Sequence, residues 1–330
     1  METIDHFGGN GGALIGLDRF VEKINGQLAG IEPIAGDLEQ RVYRVAVRTT
    51  DGLRKVIYKR ITPQEGLWYG QLRAELGPLS PRPLALEVAA DRSFVVLPDL
   101  GPSVKELVAV MPEHERVATV IAVARRLAAL HADSARLGKK WSLQGFIQAY
   151  PIASSIAWGR QSLQALDKFS GVGVKVSVDR WQRRADQIYA HLEEWSCQAQ
   201  PWTLIHGDPH LGNLLRNEDG QLTLVDWEYV AMAPPQRDIT VLMQDVLDPK
   251  LGSLVLHAWR DSLAESGLPV DGPAFCRMLE AGRFDNTLMM LAYDIRAFGR
   301  GETSADDLQK TLQVKLGWLE ESFERLAPWL

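Results

Sequence analysis

Two cysteines, Cys197 and Cys276, are all that 330 residues contain, and they form no Cys-x-x-Cys pair. That excludes a disulfide framework and a cysteine-built zinc module, and it predicts a chain at home in a reducing, cytoplasmic compartment. A basic excess is also missing: 36 Lys and Arg stand against 42 Asp and Glu, a net charge of −6, which argues against nucleic acid as a partner. No apolar run reaches the ~20 residues a membrane span requires; even Val117–Leu130 is interrupted by Arg125 and Arg126, so no membrane partner is expected. The opening METIDHFGGNGG places an acid and glycines where a secretory leader needs basic and then apolar residues. There is no internal repeat and no low-complexity linker.

What is present is ordinary globular composition, 46% hydrophobic and 24% charged, in a chain longer than one core usually organises, so two lobes are expected. From Glu228 to Leu330, sixteen acids face ten bases, a difference equal to the whole net charge. An acidic solvated surface is the common cause of such a bias; a cationic substrate is the other reading. Nothing in the sequence specifies an oligomer.

The chemistry concentrates in Leu204–Tyr229, LIHGDPHLGNLLRNEDGQLTLVDWEY. A polar loop, His206 to Asn213, precedes two short apolar segments joined by Asn217-Glu218-Asp219-Gly220, the pattern of an antiparallel hairpin. In such a hairpin the start of the first strand lies beside the end of the second. Asn213 and Asp226 are thereby predicted to meet at its open end, with Asp208 just ahead of them. Three oxygen-bearing side chains at one rim suit a hard divalent cation such as Mg2+, with one carboxylate left over to orient a nucleophile.

The spacing His206-x-Asp208-x4-Asn213 followed by the strand-terminal Asp226 matches the catalytic loop and metal aspartate of the kinase fold. The letters around it, HGDPHLGNLL and VDWEY, resemble the aminoglycoside phosphotransferase and choline kinase family. The resemblance implies an α+β, protein-kinase-like bilobal fold: a β-rich N-lobe at 1–100 covering the nucleotide, and a helical C-lobe at 101–330 with the catalytic loop and substrate pocket. It implies that Asp208 is the catalytic base, that Asn213 and Asp226 are Mg2+ ligands, and that His206 and Asp238 brace the loop. The activity implied is transfer of the γ-phosphate of ATP, or of GTP, to a hydroxyl of a small molecule such as an aminoglycoside, choline, thiamine or another amine-bearing alcohol. Two other readings stand beside it. His206, Asp208 and His210 could be transition-metal ligands of a phosphohydrolase. The domain could also be a pseudokinase-type binding or scaffold module.

The N-terminal third carries weaker signals. Gly8, Gly9, Gly11 and Gly12 lack the Gly-Lys-Ser/Thr of a phosphate loop and read as a flexible terminus. From Ile31 to Ile61 the pattern is that of strands. Lys59 shares a strand face with Ile57 and Ile61, and a lysine so placed calls for an anionic partner; Lys55, near the turn, can reach water. The resemblance makes Lys59 the phosphate-holding lysine, so Lys59→Ala is expected to weaken nucleotide handling with the fold intact. Thr62, Pro63 and Glu65 are a helix start with a Thr-x-x-Glu capping box. Glu65 is also the resemblance's partner for the lysine, with Glu75 as the alternative. The loop Ala35–Gln40 offers one glycine and two acids where the family has a glycine-rich loop.

The strand Phe94–Leu97 leads into Pro98-Asp99-Leu100-Gly101, which the resemblance makes the hinge, with the Pro98 carbonyl and the Leu100 N–H as adenine contacts. Helices are expected over Glu113–Ala132, Trp141–Trp158, Val178–Cys197, Ile239–Val246, Gly252–Ser266 and Pro273–Phe298. His131, on the apolar face of the first, reads as a satisfied core histidine. Glu228 is the substrate-binding candidate, while Asp285 and Asp294 read as surface acids.

Overall fold

The computed structural model describes residues 14–34, 41–73, 79–89, 93–144, 147–169 and 177–330. The early glycines, the loop 35–40 and Glu75 lie outside the described residues. The chain divides into two compact units, Met1–Gly101 and Pro102–Leu330.

The first unit opens with α1 (Leu17–Lys23), then β1 (Gln27–Pro33), β2 (Val42–Thr49) and β3 (Gly52–Arg60). After α2 (Pro63–Leu67), whose helical path continues in a wider turn through Leu72, come β4 (Ala85–Glu87) and β5 (Phe94–Pro98). The strands form one antiparallel sheet in the order β1-β2-β3-β5-β4. Strand alternation sorts its two faces. Val45, Val47, Val56, Tyr58, Phe94 and Val96 pack with Leu17, Phe20 and Val21 of α1. On the other parity Ile57 stands opposite Leu97 and Lys59 opposite Val95.

The second unit is helical. It runs α3 (Val104–Val108), α4 (Glu113–Gln144), α5 (Ile152–Lys168), α6 (Val178–Tyr189) and α7 (Leu192–Gln198), followed by the short strands β6 (Thr203–Ile205), β7 (Leu214–Arg216), β8 (Leu222–Leu224) and β9 (Ala231–Ala233). It closes with α8 (Gln236–Asp245), α9 (Pro249–Glu265), α10 (Pro273–Gly299) and α11 (Ala305–Leu326). α10 lies in the core: Ala281, Phe284, Leu288 and Leu291 have no exposed surface, and they pack with Leu163, Ile188, Leu312 and Leu319 from α5, α6 and α11. Full burial of Phe284, Leu288 and Leu291 contributes about 1.5–3 kcal/mol each, so α10 is a central core helix of this unit.

Two expected helices come out differently. The span Trp141–Trp158 is split: α4 runs on to Gln144, and α5 starts only after Pro151, because a proline cannot donate the backbone bond a helix interior needs. The span Val178–Cys197 is likewise two helices, parted at Ala190–His191.

Candidate active site

The loop His206–Asn213 starts where β6 ends and is held from below by α8. Asp238, in the first turn of α8 and fully buried, accepts the backbone N–H groups of His206 at 2.7 Å and Gly207 at 2.9 Å. Its third contact is His131 Nε2 at 3.1 Å. Trp259 Nε1–H donates to His131 Nδ1 at 3.1 Å, so that nitrogen carries no proton and Nε2–H is the donor to Asp238. His131 is thus a satisfied core histidine that also helps hold Asp238. Gly207 has φ 88, a left-handed conformation that disfavours side chains, and a Cβ there would strike the Tyr229 carbonyl.

His206 is buried, and both ring nitrogens are engaged. Nδ1 accepts from the Asp208 N–H at 3.4 Å, and Nε2–H donates to the Val225 carbonyl at 2.8 Å. Burial pushes its pKa down against the opposing charge of Asp238 and the Val225 bond, so the ring is neutral and ties the loop to the far end of the hairpin. That removes His206 as a ligand in the phosphohydrolase reading. His210 Nδ1 is spent on the Gly212 N–H at 3.0 Å, capping the turn Leu211–Asn213.

The hairpin register pairs Leu214 with Leu224, and Val225 N–H donates to the Asn213 carbonyl at 2.9 Å. Asn213 is therefore one residue from Asp226 across the open end of β7–β8. Asp226 has φ 66 and ψ 64, a left-handed turn that aspartate tolerates better than most residues. The Asn213 side-chain NH2 donates to the Asp208 carbonyl at 2.9 Å, so its side-chain oxygen is the atom that could face a cation. Asp208 keeps 39% of its side chain exposed, yet its carboxyl is pushed up to about 6. Protein crowding is the main cause, and Asp226, Asp245 and Asp238 add to it against the opposing influence of His210.

These donors are oxygens only, the set a hard cation prefers. Among the described residues no group of three or more His, Cys, Asp or Glu stands in metal-ligating geometry. The fit is to an ion held by one carboxylate and one amide oxygen, with remaining positions left to water and phosphate, as Mg2+ is bound beside nucleotides.

In the first unit Lys59 and Glu65 are joined: Nζ lies 2.7 and 2.9 Å from the two carboxylate oxygens, with side-chain exposures of 6% and 1%. The two roles open to Glu65 are shared out between its parts. Its backbone N–H donates to the Thr62 hydroxyl at 3.2 Å, the threonine half of the expected capping box, and its side chain goes to the lysine. Lys55 is exposed. Pro98 ends β5, and Leu100 follows Asp99, whose carboxylate pairs with Arg44 at 2.8 Å. Glu228 lies in the turn Trp227–Tyr229 directly after Asp226.

Two readings of acids need correction. Asp285 is no surface acid: it is fully buried, 3.0 Å from Arg237 Nη1 and 3.0 Å from the Tyr189 hydroxyl. Asp294 is paired to the buried Lys315 at 2.6 Å. Sequence reasoning also passed over Asp245, the last residue of α8, which accepts the Leu211 N–H at 2.7 Å. The signal that could have found it is its spacing of seven from Asp238, which puts both on one helix face.

A small antiparallel sheet unit followed by a helical unit carrying such a loop defines a protein-kinase-like phosphotransferase. Residues 30–279 match the phosphotransferase enzyme family, APH, and the chain belongs to it. Among solved structures it is similar to the microcompartment-associated aminopropanol kinase, with 20% identity, 95% of this chain and 98% of that one covered, and a TM-score of 0.59. It also resembles choline kinase LicA from Streptococcus pneumoniae (12% identity, coverage 94% and 97%, TM-score 0.56). A third likeness is to spectinomycin phosphotransferase APH(9)-Ia, in complex with ADP and spectinomycin (13%, 92% and 93%, 0.53). At such identities the likeness is one of fold. No curated protein matches the sequence.

Proposed function

We propose that this protein transfers the γ-phosphate of ATP, with Mg2+, to a hydroxyl of a small amine-bearing molecule. The observation that carries the reading is the rim of the hairpin, where Asn213 and Asp226 come together beside a carboxylate, Asp208, raised toward neutrality. Family membership supports the same chemistry. Asp208 orients the acceptor hydroxyl and takes its proton as that oxygen bonds to the γ-phosphorus and ADP departs. Asn213 and Asp226 would hold Mg2+, which supplies neutralisation of charge on the phosphates. Lys59, fixed by Glu65, serves the α- and β-phosphates, with the Pro98 carbonyl and Leu100 N–H as adenine contacts. His206 and Asp238 keep the loop in shape.

An amine on the acceptor is supported by what stands next to the loop. Trp158 and Tyr229 are 42% and 45% exposed and meet edge to face at 6.1 Å. The Tyr229 carbonyl abuts Gly207, and Glu228 precedes Tyr229. Exposed aromatic rings receive organic cations well. Several likenesses are to proteins whose names carry such acceptors: choline, aminopropanol and spectinomycin.

The test is a panel of amino alcohols, quaternary ammonium alcohols and aminoglycosides scored by Mg2+-dependent ADP release. At least one amine-bearing alcohol should raise release well above the acceptor-free rate. Nucleotide binding without release for any acceptor would establish a binding module instead. Release of phosphate from simple monoesters, activated by a transition metal and indifferent to ATP, would establish a phosphohydrolase.

A further inference from the structure

Asp238 is one of two carboxylates that α8 turns toward the loop. Asp245, seven residues on, accepts the Leu211 N–H at 2.7 Å. Seven residues return almost to the same side of an α-helix and advance about 10.5 Å along it. The loop segment from Gly207 N to Leu211 N can reach at most about 14 Å when fully extended. Two acceptors on one helix therefore hold this stretch at both ends, with Asp208 between them.

We propose that Asp245 is a positioning residue that clamps the far end of the catalytic loop, so that α8 acts as a ruler fixing Asp208 between its two carboxylates. The Asp208 carbonyl is tied to the hairpin rim by the Asn213 side-chain NH2 at 2.9 Å, but that bond does not reach the far end of the stretch. Pro209 has no N–H to give, and the Asp208 N–H makes a long 3.4 Å contact to His206. The other contacts of Asp245 are weaker than the bond to Leu211: Lys105 at 3.5 Å, with the lysine 61% exposed, and His210 Nδ1 at 4.0 Å. Releasing the Leu211 end lets Asp208 drift from the acceptor hydroxyl while the hairpin rim, held by its own β7–β8 bonds, stays in place.

The kinetic arm of this proposal rests on the phosphotransferase reading; the exchange arm does not. Asp245→Ala should accelerate amide hydrogen exchange in the peptide spanning 206–213 by at least tenfold and leave exchange in α10 unchanged. It should lower kcat about ten- to a hundredfold, the scale expected for an ångström-sized misplacement of a reacting group, with the KM for MgATP altered less than about twofold. Asp245→Asn retains an acceptor oxygen and should recover most of both losses. Lys105→Met should reproduce neither. Unchanged loop exchange in Asp245→Ala overturns the clamp, whether or not any acceptor is turned over. So does a Lys105→Met variant that matches Asp245→Ala, which would assign the effect to the ion pair, or a rise in KM equal to the fall in kcat. If the wild-type protein turns over no acceptor, the phosphotransferase reading fails and the exchange measurements still decide the clamp.

Discussion

Replacing Lys59 with methionine removes one half of a pair that has almost no water around it. Its side chain is 6% exposed and that of Glu65 1%, and the ammonium touches both carboxylate oxygens, at 2.7 and 2.9 Å. Taking away one partner breaks a buried charge pair, which costs about 3–5 kcal/mol. Even at the roughly 2 °C per kcal/mol typical of larger domains, the loss should be several degrees. The expectation from sequence, that Lys59→Ala leaves the fold intact, is thereby revised: the lysine cannot be removed as if it were a nucleotide contact alone. The companion is Lys59→Met with Glu65→Leu, which removes both charges and fills the space with apolar atoms. Replacing a whole buried pair in this way is often neutral or stabilising, so the double variant should recover most of the stability while still failing to handle nucleotide. The assay is thermal and urea unfolding without ligand, with hydrogen exchange in β3 and β5 as the local readout. A Lys59→Met protein as stable as wild type, or a double variant no better than the single one, would refute the reasoning.

Three further outcomes are expected. Asp208→Asn should cut turnover by about two to four orders of magnitude, the usual worth of a positioned acid or base, with little change in MgATP affinity; Asp226→Asn should weaken Mg2+-dependent nucleotide binding in calorimetry and be partly rescued by more Mg2+. Gly207→Ala should destabilise by about 1–3 kcal/mol in urea titration, because a side chain at positive φ is strained and meets the Tyr229 carbonyl. Glu320, bonded by Arg184 and Arg180, has its pKa lowered chiefly by the Arg184 hydrogen bond, so it lends stability above the ordinary glutamate value of 4.5 that is lost as pH falls through its lower folded value. Glu320→Gln should flatten that acid limb by less than about 1 kcal/mol, a partly exposed pair being worth little.

What the sequence made legible was what depends on short range. The Asn217–Gly220 turn and the two apolar segments around it dictate a hairpin, and a hairpin brings Asn213 to Asp226 whatever the rest of the chain does. Strand parity likewise places Lys59 between Ile57 and Ile61 and implies an anionic partner, while Lys55, on the same face, is set apart by its nearness to the turn at Thr49–Gly52. It could not choose between Glu65 and Glu75, because that depends on how α2 is rotated about its axis. Helix ends are legible in sequence where a strong breaker acts, as Pro151 does ahead of α5. The acids were the main loss. Asp285 and Asp294 look like any surface carboxylate in sequence, and only their partners, Arg237 at a separation of 48 and Lys315 at 21, show otherwise.

Arg237 and Asp238 show how the long-range part of the fold bears on the short-range part. They are neighbours in the first turn of α8, about 100° apart around the helix. Asp238 faces the loop. Arg237 faces the core, where it meets Asp285 and Asn286 of α10 at 3.0 and 3.4 Å and the Tyr150 hydroxyl at 2.8 Å. A buried pair of this kind is weak evidence for net stability, since desolvation offsets most of its Coulomb energy. Its directional bonds nevertheless define a single seat for α8 against α10, whereas apolar packing alone would tolerate small slides and rotations. A rotation of α8 would carry Asp238 away from the N–H groups of His206 and Gly207, and with them the start of the catalytic loop. What the polar hub secures is the register between the buried helix α10 and the loop that carries Asp208.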